Sequence, residues 1–324
     1  MEGQKKRHAL LVGCNYPNTP NELHGCINDV LAMRDVLVTR FAFEETNIQL
    51  LTDQEGTDES AMPTGANIRN ALARMVDKAE AGDVLYFHYS GHGTTISSMK
   101  PGHPLRQDEA IVPCDFNIIT DLDFRHLVNQ LPKGASFTIL SDSCHSGGLI
   151  DKEKEQIGPF SGSNDKNGTL QLSYKPKSIP FESILQHLSS LTKINSSDIG
   201  THLLEFFGSQ ASLRFRLPLP ELDDLLDSLT LGPDEGILLS GCQADEASAD
   251  MDPLMTDGKA YGAFSNAVQL VLKDNPADIT NKNLVIMARK ILQQQGFQQH
   301  PCLYCCDENA DATFLLQSQR SICN

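Results

Sequence analysis

The six residues Asp142-Ser143-Cys144-His145-Ser146-Gly147 directly follow the apolar run Ser136-Phe137-Thr138-Ile139-Leu140, and Ser90-Gly91-His92-Gly93 follows Val84-Leu85-Tyr86-Phe87. Each run reads as a buried strand, so a thiol and an imidazole are offered at two strand ends. An imidazolium beside a thiol holds it as thiolate, and the same ring then passes a proton to a leaving amine. Cys144 and His92 are therefore the candidate catalytic pair. The backbone N–H groups of Cys144 and Gly93 are the candidate oxyanion donors, and glycines flanking His92 and following Ser146 let the backbone approach a substrate. Asp142 lies two residues before Cys144, so in extended chain it shares that residue's face and brings a carboxylate beside the nucleophile. His145 competes as the base, but a residue adjacent to the nucleophile points elsewhere. No third side chain completing a triad is evident. A lone cysteine and a lone histidine are more often core residues; two matched strand-end motifs outweigh that reading here.

Those side chains need a sheet. The first half alternates short β-like runs with helical patterns, the signature of a mostly parallel sheet with helices on both faces. Strands are expected at 8–13, 47–52, 83–90 and 136–141. Helices are expected at 26–41, from Pro63-Thr64 to before Gly82, and from a Thr120/Asp123 capping box to Leu131. Ligands of such sheets bind beyond the carboxyl ends of the strands, where His92 and Cys144 lie. From Asp151 to Pro180 the pattern lapses into a charge run and Gly, Ser, Asn, Lys and Pro, the composition of a mobile linker. Three amphipathic patterns between Phe181 and Leu231 suggest a helical insert. Strand character returns at 236–240, helices at 263–272 and 283–295, and a last strand at 312–316. The chain thus divides into a large catalytic region (1–150), a linker with helical insert (151–235) and a region completing the sheet (236–324).

With 42 acidic and 26 basic residues among 324, the net charge of −16 argues against nonspecific nucleic-acid binding and favours basic partners. No apolar stretch reaches membrane-spanning length, and the polar start leads straight into a strand, so no membrane partner and a cytoplasmic, possibly also nuclear, location are expected. Nine scattered cysteines read as reduced thiols. His300-Pro301-Cys302-Leu303-Tyr304-Cys305-Cys306 suggests a zinc or redox module as an alternative, a weak signal without a second matched pair.

The two reactive boxes, Tyr89-Ser90-Gly91-His92-Gly93 and Asp142 to Gly147, together with Gly13-Cys14-Asn15-Tyr16 and Gly25-Cys26-Ile27-Asn28-Asp29, resemble those of the plant type II metacaspases, in the caspase-like clan. The 52 residues from His92 to Cys144 resemble the caspase separation, although the caspase Gln-Ala-Cys-x-Gly box is missing. The Leu238 to Glu246 and Ala260 to Ser265 segments are similar to that family's small-subunit region. The resemblance implies a caspase-like three-layer α/β sandwich, cleavage of proteins after Arg or Lys, a zymogen that cuts itself in the linker, a monomer, and a role in stress response or programmed cell death. It assigns Asp29 and Ser90, with Asp142, to the pocket for the substrate cation, and puts Cys26 near the active site, where packing rather than a role as auxiliary nucleophile is expected. Of the linker residues Lys154, Lys166, Lys175 and Lys177, Lys175 precedes a proline whose ring nitrogen makes a poor scissile position, so Lys177 is the expected self-cleavage site. An inactive relic is the remaining alternative, but both reactive residues are present. Many metacaspases require calcium. The segment from Gly93 to Glu109 carries basic residues and only Asp108 before Glu109, so no metal ligands, no cofactor and turnover without calcium are expected.

Overall fold

The computed structural model describes residues 5–97, 107–145, 147, 149–150, 155–158, 174–218, 220–222, 225, 236–243, 246–252 and 258–315. Its centre is a seven-stranded sheet in the order β2-β1-β3-β7-β10-β13-β8. These strands are β1 (Arg7–Gly13), β2 (Ile48–Thr52), β3 (Val84–Ser90), β7 (Ser136–Asp142), β8 (Glu155–Ile157), β10 (Gly236–Ser240) and β13 (Cys302–Tyr304). The first five in spatial order run parallel, and β13 and β8 are antiparallel to their neighbours.

All seven side chains of β3 are buried, as expected of a parallel strand covered on both faces. The period of two sorts β1 cleanly. Ala9 and Leu11 face a core shared with α1 (Cys26–Phe41), α7 (Ala263–Asp274) and α8 (Asn281–Gln294), whereas Leu10 and Val12 face one shared with α2 (Gly65–Asp77) and α3 (Asp121–Val128). The three layers follow from that alternation. Thr64 caps α2 by accepting from Asn67 N–H, and the Thr120/Asp123 capping box opens α3, which ends at Val128 rather than Leu131.

Two smaller sheets flank the carboxyl ends of the central strands. One joins β4 (Gly93–Ser97), β5 (Gln107–Ile111) and β6 (Ile119–Thr120); the other joins β9 (Tyr174–Pro176), β11 (Ala249–Met251) and β12 (Tyr261–Gly262). The helices α4 (Phe181–Thr192) and α5 (Ile199–Phe207) pack against the first through Ile184, Leu188, Ile199 and Leu203, and α6 (Leu213–Arg216) and α9 (Asp307–Asp311) are short.

Two expectations change. The stretch from Asp151 to Pro180 is not structureless: β8 extends the central sheet and β9 pairs with β11, because each finds an unpaired strand edge. Residues 151–154 and 159–173, with Lys154 and Lys166, lie outside the described residues. The last strand is Cys302–Tyr304, not 312–316. Thr313 makes only an isolated bridge to Thr280, while Phe314 and Leu315 are spent on the core between α1 and β3, ring on ring with Phe41 and Tyr86.

Candidate active site

Strands β3 and β7 are parallel neighbours in a register that sets Ser90 opposite Asp142. His92 and Cys144 each follow by two residues, so one edge of the sheet receives both. Between them lies the chain's own segment Lys177-Ser178.

The Lys177 carbonyl accepts hydrogen bonds from Gly93 N–H at 3.0 Å and Cys144 N–H at 3.1 Å. These are the two donors proposed for an oxyanion, converging on one carbonyl oxygen. Strand β9 leads into Lys177 by pairing antiparallel with β11, and Lys177 N–H donates to the Ser248 carbonyl at 2.9 Å. Beyond the bond, Ser178 bridges to Gly93 and Ile179 N–H donates to Gly93 O at 3.1 Å. The backbone is held in extended form on both sides of one peptide bond.

The Lys177 side chain is 0% exposed. Its Nζ lies 2.9 Å from Ser90 Oγ, 3.3 Å from Asp142 Oδ2 and 3.4 Å from Asp29 Oδ2. Burial disfavours the ammonium, but Asp142, Cys26, Asp29 and Asp250 outweigh it, so its pKa is raised. Burial likewise pushes Asp142 up, and Lys177 with the Ser248 and Ser265 hydrogen bonds more than reverses this, leaving it lowered. One cation neutralises only one carboxylate. Asp29, buried and beside Asp142, is therefore pushed up to about 7 despite Lys177, Ser90 and Gly262. Gly262 N–H donates to both Asp29 oxygens, and a methyl group at 262 would run into Lys177 Nζ and Asp142 Oδ2.

His92 Nε2 lies 2.8 Å from the Asn21 carbonyl, and Nδ1 is buried without a hydrogen-bond partner. Burial lowers this histidine to about 4 against the opposing Asn21 carbonyl. Tyr16 packs on the ring at 4.7 Å between centroids, and its hydroxyl accepts from His92 N–H. The Cys144 thiol is lowered chiefly by a hydrogen bond from Cys242, against burial, with Ser248 N–H adding a contact of 3.0 Å to Sγ. Cys242 is correspondingly raised well above its ordinary value and keeps its proton, with Sγ 3.5 Å from the Glu246 carbonyl and 3.7 Å from that of Ser143. With Lys177 seated, the contacts around Sγ lower the Cys144 thiol and enclosure lowers His92, so the ring stands beside it as neutral imidazole.

Residues 7–153 match the family model described as "Metacaspase, peptidase C14 domain". Metacaspase-9 of Arabidopsis thaliana is 62% identical over 321 residues, covering 97% of this chain and 98% of that protein. The chain belongs to the metacaspases. Metacaspase-6 of the same plant is 38% identical, covering 95% of this metacaspase and 99% of its own length. Protein GSU0716 from Geobacter sulfurreducens shares the fold, with a TM-score of 0.58 at 18% identity over 97% of this chain and 100% of that one. The metacaspase is of the plant type II kind with a mixed α/β fold around a mostly parallel sheet, and its family makes it a cysteine-type peptidase.

Within this metacaspase the residues singled out from sequence, Asp29, Ser90, His92, Gly93, Asp142, Cys144 and Lys177, meet in one place. Cys26 is fully buried in the core beneath Ser90, and burial raises its thiol well above the ordinary value. His145 sits on left-handed backbone, with φ of 54°. Cys302 lies in β13 and donates to the His300 carbonyl, Cys305 is in the core, and no group of three or more His, Cys, Asp or Glu among the described residues is arranged to hold a metal ion. Sequence reasoning missed Asn21, Ser248, Gly262, Cys242 and Tyr16. Asn21 acts through backbone and Ser248 through both backbone and hydroxyl; Tyr16, Cys242 and Gly262 stood in quoted segments, but nothing in their types assigned them these roles.

Proposed function

We propose that this metacaspase is an endopeptidase that cuts proteins after Arg or Lys, and that its precursor first cuts itself between Lys177 and Ser178. The observation that carries the reading is the double engagement of Lys177: its ammonium among Ser90, Asp29 and Asp142, and its carbonyl on the N–H groups of Gly93 and Cys144. Charge, burial and backbone pairing all select a basic side chain there, and Arg would add a bidentate contact.

The chemistry follows from the placement. The Cys144 thiolate attacks the Lys177 carbonyl carbon, and the developing oxyanion gains strength from two N–H donors already pointed at it. His92, held at Nε2 by the Asn21 carbonyl, takes the Cys144 thiol proton on Nδ1 as the thiolate forms and passes it to the Ser178 nitrogen, so that the amine leaves. Water, deprotonated by the same ring, then opens the thioester.

Calcium takes no part in this scheme. Asp108 is paired with Arg214, and Asp121 with Arg125 at 3.1 Å, so these two carboxylates near the β4–β5 hairpin are already neutralised by arginines. The proposal extends to a cytoplasmic or nuclear monomer that binds neither nucleic acid nor membrane and acts in stress response or cell death. Its support is the net charge of −16 and the family. Wild type and Cys144→Ala, given peptide reporters ending in Arg, Lys or Asp with calcium or with chelator, test it. Expected is Cys144-dependent turnover of Arg and Lys reporters alone, equal in both conditions. Turnover of the Asp reporter, or turnover abolished by chelator and restored by calcium, contradicts it.

A further inference from the structure

Ile179, the second residue beyond the bond held over Cys144, is 1% exposed. Its N–H is fixed to Gly93 O at 3.1 Å, which turns its side chain into an apolar cluster with Ile96, Ala110, Val112 and Phe116. These four belong to the β4–β5 hairpin and the segment after it, not to the linker. They are also tied to the catalytic histidine: Val112 N–H donates to the His92 carbonyl at 2.9 Å, and the Phe116 ring meets Tyr16 at 6.5 Å, whose ring in turn lies against His92. Ser178, by contrast, is half-buried and Pro180 exposed. Of the three residues after the bond, only one is swallowed.

We propose that this slot is a specificity subsite selecting a branched aliphatic residue two positions after the scissile bond, so that the preferred substrate is a basic residue, any small residue and then Ile, Leu or Val. This rests on the reading of Lys177–Ser178 as the bond that is cut. The opposite wall of the slot is Ile184 and Leu188 of α4. Helix α4 opens at Phe181, two residues after Ile179, so a second substrate reaches the hairpin side of the slot once the cut segment has vacated it. An apolar slot of this kind discriminates modestly against a smaller side chain and more strongly against a carboxylate, which it would have to desolvate unpaired.

The test uses self-cleaved wild-type enzyme and octapeptides spanning 174–181 with Ile, Leu, Gly or Asp at 179. Expected is kcat/KM about tenfold or more higher for Ile and Leu than for Gly, with Asp lowest. Phe116→Ala should narrow the Ile-to-Gly ratio, read against a short Lys reporter that lacks any residue after the cut. Cleavage of all four peptides within twofold of one another overturns the subsite alone. Absence of Cys144-dependent cleavage from the whole series, and from the short Lys reporter, overturns the Lys177 reading and the subsite with it. The peptide series decides the matter even if Phe116→Ala does not fold.

Discussion

At the residue scale the site separates charges by burial. His92 ordinarily titrates near 6.5, and its enclosure brings it to about 4, because a charged imidazolium loses hydration that the Asn21 carbonyl only partly replaces. In the Cys144→Ala precursor, NMR of the imidazole should show His92 neutral from pH 8 to below pH 5, with protonation near pH 4; a midpoint near 6.5 would mean that Lys177 does not cover the ring. The carboxylates carry the next expectation. Asp142→Asn should lower turnover of both Lys and Arg reporters by about 100-fold or more, since unpairing a buried charge costs about 2 to 5 kcal/mol. Gly262→Ala should do so comparably by filling the space of the cation. Unchanged kcat/KM in either variant would place the specificity pocket elsewhere. The thiol, the imidazole and Asp142 were legible because their types and strand-end positions carry the signal. Gly262 was not, since its role is the absence of a side chain 120 residues from Asp142 in sequence.

At the element scale, the register of β3 on β7 does the positioning. Both strands were legible as unbroken apolar runs, and α1 and the capping-box start of α3 were legible from periodicity and caps. The strands β8 and β9 were not. At three residues each they have no period to detect and exist only because the edges of β13 and β11 accept them. The element that joins the two reactive loops is the close approach of Gly93 to Cys144. A Cβ at 93 would collide with the Cys144 carbonyl oxygen, which is backbone and cannot swing aside. Gly93→Ala should therefore abolish self-cleavage and lower reporter turnover by about 100-fold or more while circular dichroism still reports the fold; wild-type turnover would show that the two loops need not touch.

At the scale of the whole molecule, a cut after Lys177 severs the chain without dividing the sheet. Strand β10, from the carboxyl-terminal piece, pairs along five residues with β7 from the amino-terminal piece, and α7 and α8 cover one face of strands from both. The two fragments should co-elute in gel filtration after cleavage, and separation without denaturant would contradict the shared core. The most direct check on the central claim, that the Lys177–Ser178 bond already lies across Cys144 and its oxyanion donors, is intact mass and amino-terminal sequencing of the self-cleaved protein. The predicted result is a new terminus at Ser178, retained in Lys177→Arg and lost in Lys177→Ala and Cys144→Ala. A first cut at another linker lysine, undiminished by Lys177→Ala, would contradict it.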